Sequence, residues 1–225
     1  MIYCAGVGPG DPELLTLKAV RLIREADVIA VPGKDPKNSV SYKITAGAVP
    51  EIEEKDLIGI DMPMTKDKVV LAETHKAGAE VLESLADQGK TVVFLTLGDP
   101  TIYCTFSYLQ HILEEDGYET ELIPGVTSMT AAAARLGIVL TEWDEPLHVL
   151  PAVHKAEEIA ELDGTLVLMK SASRMKEVKA FLNESGRDVQ AVINCGMEDE
   201  TVCRSLEDIP DDAGYFSLIV AKVHK

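Results

Sequence analysis

The 225-residue sequence has no long apolar run and few aromatic side chains. None of its apolar segments approaches the roughly 20 residues that a membrane-spanning helix requires. Its first residues, MIYCAGVGPGD, lack the basic stretch, apolar stretch and cleavage site of a secretory signal. From these absences we expect a globular, cytoplasmic protein that does not bind membranes.

Cysteine is also scarce. The four cysteines are Cys4, Cys104, Cys195 and Cys203. No two of them have the C-x-x-C spacing of a zinc or redox site, so reduced, free thiols are expected. His148 and His154 are close in sequence, but the segment between them contains Pro151 and cannot hold both on one helical face. No metal site is therefore expected.

Positive charge is the third deficiency. The sequence has 21 Lys and Arg against 38 Asp and Glu, and 21 − 38 gives a net charge of −17. Such a field repels nucleic acid backbones and anionic membranes at long range. We therefore expect no nucleic acid partner. An anionic small substrate would need a local basic lining inside this acidic shell.

The segment 91–115, TVVFLTLGDPTIYCTFSYLQHILEE, combines a buried strand, a polar turn and an amphipathic helix. The apolar run 92–95 is typical of a strand covered on both faces, and Gly98-Asp99-Pro100 interrupts it. Apolar residues then recur at helical spacing from Ile102 onwards. Because a βα turn lies at the carboxyl edge of a parallel sheet, where ligands of such sheets bind, this turn is a candidate binding loop.

The first strand leads into a second glycine-rich turn, GVGPGD at residues 6–11. A dinucleotide-binding G-x-G-x-x-G turn would need a third glycine where Asp11 stands. Pro9 also removes a backbone N–H that could bind a pyrophosphate. These two residues argue against a nicotinamide-dependent oxidoreductase, which we keep as the alternative from another enzyme class.

Strands and helices alternate up to about residue 125, which predicts a parallel sheet with helices on both faces. The pattern after that point predicts a smaller α+β unit with a mixed sheet. We therefore predict an α/β protein of two domains, residues 1–125 and 126–225. The active site is expected in the crevice between them, because such crevices are favoured small-molecule sites.

Three loops at predicted strand ends carry the family resemblance: GVGPGD at 6–11, TLGDPTIY at 96–103 and IPGVTSMTAAAARLG at 123–137. In this order they resemble the S-adenosylmethionine-dependent tetrapyrrole methyltransferases of cobalamin and siroheme synthesis, along the whole chain. The segments KDPKNSVSYKI, MPMTKD, TFSYL and NCGME are similar to one branch, the precorrin-2 or cobalt-factor-2 C-20 methyltransferases. The diphthine synthases, the ribosomal RNA ribose methyltransferases and enzymes for other precorrin positions or uroporphyrinogen III remain alternatives within the fold.

The resemblance implies the two-domain tetrapyrrole methylase-like fold, S-adenosylmethionine as cofactor, a tetrapyrrole substrate and a homodimer. The positions that match the cofactor loops of the family are Pro9, Leu97, Gly98, Asp99, Ile102, Thr127, Ser128, Met169 and Gly196. Methyl transfer from a sulfonium needs alignment and a water-poor site rather than a dedicated base. No catalytic residue is therefore assigned, and Asp99 is expected to shape its loop.

The substrate of this family carries several carboxylates, which a chain of charge −17 must neutralise locally. Lys170 and Arg174, which follow Met169, are the leading candidates for this role. Further candidates are Lys34, Lys37, Lys43 and Arg135. The sequence leaves open whether the substrate already contains cobalt. A non-catalytic interaction module is the remaining alternative, but it would leave the three loops unexplained.

Overall fold

Two five-stranded sheets organise the chain in this computed structural model, which describes residues 1–151, 159, 162–171 and 174–223. The chain divides into two units, Met1–Thr127 and Ser128–Lys225. The boundary between the units therefore follows residue 127, two residues after the boundary predicted at residue 125. His154 lies outside the described residues, as do most of residues 155–162, for which the sequence predicts a helix. No helix in the described ranges combines the length and the apolar character needed to cross a membrane.

The first unit has a parallel sheet of order β3-β2-β4-β1-β5. Its strands are β1 (Ile2–Gly6), β2 (Val28–Pro32), β3 (Asp56–Ile60), β4 (Val92–Thr96) and β5 (Thr120–Ile123). Its helices are α1 (Leu17–Glu25), α2 (Val40–Ala48), α3 (Lys68–Asp87) and α4 (Phe106–Glu115). Because every strand runs in the same direction, the loops that follow them all emerge at one edge of the sheet.

Alternate residues of the central strands enter two different cores. Val93 and Leu95 pack with buried residues of α1 and α2 on one face, whereas Val92 and Phe94 pack with α3 and α4 on the other. The neighbouring strands β1 and β4 therefore lead into helices on opposite faces. This is a topological switch point, the position at which open α/β sheets bind ligands.

Two details of this unit differ from expectation. Helix α4 begins at Phe106, not near Ile102, because Tyr103 has a left-handed φ of 50° that helical residues do not adopt. Helical spacing in the sequence predicts a buried stripe of Val70, Thr74, Ala77, Val81 and Leu85 on α3. This prediction was wrong, since Val70, Ala77 and Val81 are exposed and Gly78, Ala79 and Leu82 are buried. Small residues face inward because α3 approaches β3 closely, and a methyl group on Gly78 would lie 2.7 Å from the Ile60 side chain.

The second unit has a mixed sheet of order β6-β7-β10-β8-β9, in which only β6 and β7 pair in parallel. Its elements are α5 (Ser128–Leu136), β6 (Leu147–Pro151), β7 (Thr165–Met169), α6 (Met175–Glu184), β8 (Arg187–Ile193), β9 (Thr201–Cys203) and β10 (Ser217–Val223). Helix α5 packs on one face and α6 on the other. The predicted fold class, a parallel sheet followed by a smaller mixed-sheet α+β unit, is confirmed.

Candidate active site

The loops that follow β1 and β4 are joined at the switch point by a pair of backbone hydrogen bonds. The N–H of Gly98 donates to the carbonyl of Gly8 at 2.8 Å, and the N–H of Gly8 donates to the carbonyl of Gly98 at 3.3 Å. Gly8 has a φ of 76° and Gly98 a φ of 71°, values that residues with a side chain rarely adopt. The GVGPGD and TLGDPTIY motifs thus form one structure.

A third loop, after β5, packs onto this pair through backbone contacts. A methyl group on Gly125 would lie 2.2 Å from the carbonyl oxygen of Gly98, and one on Gly6 would lie 2.5 Å from the same oxygen. Neither position can accept a Cβ without moving the backbone. We call the arrangement of Gly6, Gly8, Gly98 and Gly125 the glycine junction.

Asp99 fastens two of these loops together through its buried carboxylate. One oxygen accepts hydrogen bonds from the N–H of Thr101 at 2.8 Å and from its hydroxyl at 2.5 Å. The other accepts from the N–H of Gly125 at 2.9 Å. Burial alone would raise the pKa of Asp99, but these hydrogen bonds outweigh it and hold the pKa below its ordinary value. The geometry therefore favours a charged structural residue over a proton acceptor.

The segment after this turn is stabilised by a cysteine that sequence reasoning left unused. The sulfur of Cys104 lies 3.2 Å from the hydroxyl of Thr96 and accepts the N–H of Phe106 at 3.4 Å. It therefore satisfies an amide at the start of α4, where Thr105 makes no capping bond. Cys4 packs in the same core, and burial raises the pKa of its thiol well above the usual value.

In the second unit, two predicted site residues lie at the end of β7, and the second of them has an unusual backbone conformation. Met169 is the last strand residue, and Lys170 after it has a left-handed φ of 58°. The ammonium of Lys170 lies 5.9 Å from the centre of the Tyr215 ring, within range of a cation–π interaction. A non-glycine residue in this conformation costs about 1–3 kcal/mol and is typical of functional sites.

The turn after β8 contains Gly196 and depends on an acidic residue that the sequence analysis did not identify. The N–H of Gly196 donates to one carboxylate oxygen of Glu200 at 2.8 Å. The other oxygen of Glu200 pairs with Arg135 on α5. Arg135, whose side chain is 61% exposed, therefore forms an ion pair at the surface of the second unit. Asn194, with a φ of 53°, closes the same turn through a 2.7 Å hydrogen bond to Asp199.

The predicted site residues divide between the two units. The first unit contains Pro9, Leu97, Gly98, Asp99, Ile102 and Thr127, and the second contains Ser128, Met169, Lys170, Arg174 and Gly196. Pro9, Gly98 and Asp99 lie at the glycine junction or beside it. Arg174 pairs with Glu177 on its own helix at 2.5 Å. In the described ranges, no group of three or more His, Cys, Asp or Glu is placed to hold a metal ion.

Comparisons with known proteins identify the family to which this chain is similar. The profile described as "Tetrapyrrole (Corrin/Porphyrin) Methylases" matches residues 1–210. The probable cobalt-precorrin-2 C(20)-methyltransferase of Methanocaldococcus jannaschii is 35% identical over 228 aligned residues, with 100% of this chain and 96% of the relative covered. The precorrin-2 C(20)-methyltransferase of a Sinorhizobium species is 32% identical, with 96% and 92% covered.

A solved structure is similar over the same span. The uroporphyrin-III C-methyl transferase of Thermus thermophilus, complexed with S-adenyl homocysteine, aligns with a TM-score of 0.73 and 25% identity. The alignment covers 98% of this chain and 96% of that one. On the profile match and the two full-length relatives above 30% identity, the chain belongs to the tetrapyrrole (corrin/porphyrin) methylases.

Proposed function

We propose that this protein transfers a methyl group from S-adenosylmethionine to C-20 of precorrin-2, with or without cobalt, in cobalamin biosynthesis. The observation that carries the proposal is the full-length similarity to two precorrin-2 C(20)-methyltransferases. It is supported by a glycine junction at the topological switch point, where a ligand of this sheet is expected.

The residues at the junction fit a cofactor of this kind. Three loops approach each other through backbone alone, because Gly6 and Gly125 carry no side chain in the space taken by the Gly98 carbonyl. Their remaining backbone groups can approach the adenine, ribose and methionine parts of a nucleoside-containing ligand closely. We assign Pro9, Leu97, Gly98, Ile102 and Thr127 to this binding surface, with Asp99 holding it in shape.

From the second unit we assign Ser128, Met169 and Gly196 to the same cofactor. Glu200 would hold the Gly196 turn in position through its 2.8 Å hydrogen bond. The active site is proposed to use both units, as the sequence suggested. That arrangement, the homodimer and the cytoplasmic location remain predictions from the family resemblance and the composition.

When bound, S-adenosylmethionine supplies a sulfonium-activated methyl group, so the reaction needs neither a covalent enzyme intermediate nor an activated water. The task of the protein is to align the substrate carbon and to exclude water, and well-oriented reactants reach effective molarities of about 10⁵–10⁸ M. The role of Asp99 is consistent with this, because its carboxylate is occupied by Thr101 and Gly125. We therefore assign no general base.

Lys170 and Arg174 are proposed to face the substrate carboxylates. The ammonium of Lys170 is oriented by the Tyr215 ring. Arg174 would have to exchange its ion pair with Glu177 for a substrate carboxylate. Replacing either cation with a neutral residue should raise the apparent substrate constant and leave cofactor affinity nearly unchanged, and Lys170→Gln should have the larger effect.

Two measurements test the proposal. Calorimetry should detect binding of S-adenosylhomocysteine, with no binding of a nicotinamide dinucleotide. Incubation with S-adenosylmethionine and precorrin-2 should then add one methyl group to the tetrapyrrole, as read by mass spectrometry. Cofactor binding without methylation of any precorrin would point to another substrate in the same fold. Failure to bind the cofactor would reject the proposal.

A further inference from the structure

The loop after β2 lies across the end of β3, so the two loops form one surface. The N–H of Gly33 donates to the carbonyl of Ile60 at 2.7 Å. The carbonyl oxygen of Gly33 would lie 2.2 Å from a methyl group placed on Gly59, which explains a glycine inside β3. Lys34 extends the contact through an ion pair with Asp61 at 3.2 Å.

This surface has a charge opposite to that of the rest of the molecule. Residues 32–43 and 61–68 contain five lysines and three aspartates, and 5 − 3 gives +2, in a chain whose total is −17. All three carboxylates are engaged locally. Asp61 pairs with Lys34, Asp35 accepts a hydrogen bond from Asn38 at 2.6 Å, and Asp67 caps α3 by accepting the N–H of Val69 at 2.9 Å.

Apart from the paired Lys34, and Lys43 within α2, three lysines of these segments remain. Lys37, Lys66 and Lys68 are exposed, and none forms an ion pair with any residue that the structure describes. Lys66 and Lys68 flank the N-terminus of α3, whose dipole adds positive potential there. Met64, two residues before Lys66, is 89% exposed and is a flexible and polarisable side chain suited to an apolar ring face.

The position of this surface relates it to the glycine junction. Strand β2 pairs with β4 in parallel, so the loop after β2 emerges beside the loop that carries Gly98 and Asp99, on the same edge of the sheet. The loops after β2 and β3 and the glycine junction therefore lie along one edge of the same sheet, in the first unit.

We propose that Lys37, Lys66, Lys68 and Met64 form a docking surface for the tetrapyrrole substrate. It rests on the proposed function, since a tetrapyrrole is a flat apolar ring surrounded by carboxylates. The lysines neutralise the carboxylates on one side of the ring, and Met64 contacts its apolar face. The surface supplies the local basic lining that a protein of charge −17 needs, where Arg135 and Lys34 are already paired.

The test uses uroporphyrin III, a fluorescent tetrapyrrole with eight carboxylates, and the full-length protein. Binding is measured by fluorescence titration for wild type and for the triple variant Lys37→Gln, Lys66→Gln, Lys68→Gln. The control is Lys18→Gln, Lys76→Gln, Lys90→Gln, which removes three lysines elsewhere on the first unit, two of them from exposed ion pairs with Glu121 and Glu80, and gives the same net charge. Each exposed ion pair contributes little, so we expect roughly a two- to fivefold loss for each docking lysine.

The docking triple should therefore bind uroporphyrin at least roughly tenfold more weakly, while the control stays within about twofold of wild type. Mesoporphyrin, with two carboxylates, should be affected much less by the lysine changes, and Met64→Ser should weaken both porphyrins alike. Equal losses in the two triples, or a wild type that binds neither porphyrin, would overturn the proposal. Affinity for S-adenosylhomocysteine should be unchanged in all variants, which also shows that they are folded.

Methylation of precorrin-2 by the wild type is measured separately. If uroporphyrin binding depends on the three lysines but precorrin-2 is not methylated, the docking surface stands and the proposed function fails. If precorrin-2 is methylated and the docking triple behaves like the control, the function stands and the docking surface fails.

Discussion

At the scale of single residues, Asp99 decides the shape of the candidate cofactor site. Its carboxylate accepts three hydrogen bonds, from two groups of Thr101 and from Gly125. Asp99→Asn exchanges one acceptor oxygen for a donor, so one of these bonds is lost. We expect a loss of about 1–3 kcal/mol in the free energy of unfolding and weaker binding of S-adenosylhomocysteine.

Chemical denaturation and calorimetry measure these two effects. Asp212→Asn is the control, because Asp212 is exposed and the charge change is the same. The pH–rate profile should keep its shape in Asp99→Asn. An intact cofactor affinity with abolished turnover and a shifted profile would instead identify Asp99 as a general base.

The same residue gives a pH dependence of known sign. The pKa of Asp99 is lower in the folded protein than its ordinary value, so the charged form stabilises the fold. This contribution is present above the unfolded pKa, about 3.9, and is lost as the pH falls through the folded pKa. The difference in unfolding free energy between wild type and Asp99→Asn should therefore shrink as the pH falls from about 5 to below the ordinary aspartate pKa of about 3.9. A constant difference would mean that Asp99 is not charged in the fold.

From the sequence, the turn at Gly98-Asp99-Pro100 could be predicted because its backbone geometry requires particular residue types, whereas the cofactor contacts of these residues remain a prediction. Gly98 and Asp99 form a recognisable turn, and the structure places them at a junction. The roles of Glu200 and Cys104 were missed, although the amides that they accept, those of Gly196 and Phe106, lie only four and two residues away in the sequence. Their other partners, Arg135 and Thr96, belong to separate elements and are fixed only when those elements are assembled.

At the scale of elements, the glycine junction explains how three loops can pack backbone against backbone, with the Asp99 carboxylate joining two of them. Gly125→Ala would place a methyl group 2.2 Å from the Gly98 carbonyl, so the backbone must move. We expect a loss of about 1–3 kcal/mol or more in unfolding free energy, together with weaker cofactor binding. Gly214→Ala is the control, because its methyl group would meet no atom within 4 Å and its φ is not positive. Equal stability of the two variants would show that the junction is not tightly packed.

The positions of most strands along the chain were predictable, because the buried strands are short apolar runs separated by turn residues. The boundaries of α4 and the buried face of α3 were not. Periodicity assigns large apolar residues to the core, whereas the close approach of α3 to Ile60 selects Gly78 and exposes Val81. The three-residue strand β9 is too short to show alternation, and only its pairing with β8 defines it.

At the scale of the whole molecule, a charge of −17 opposes the approach of a polyanionic substrate, and the docking lysines attract it locally. The Debye length falls from about 30 Å at 0.01 M salt to about 8 Å at 0.15 M, so salt first screens the distant acidic charges. Affinity for uroporphyrin should rise over this range and fall at higher salt, where the lysine contacts are screened too. If the affinity for uroporphyrin falls steadily from the lowest salt concentration, the negative charges elsewhere on the protein do not oppose binding at this site.

The assembly state is also a property at this scale. From the family resemblance we predict a homodimer. Light scattering should give about twice the chain mass of 24.4 kDa at working concentration. A mass of one chain across the concentration range would contradict this prediction and require a complete active site within one copy.

The most direct test of the central claim is the position of the transferred methyl group. Wild-type protein is incubated with isotope-labelled S-adenosylmethionine and with either metal-free or cobalt-loaded precorrin-2, and the product is examined by NMR. The account predicts one labelled methyl group at C-20 in at least one of the two reactions. A label at another ring position, or no transfer to either form by a protein that binds the cofactor, would contradict it.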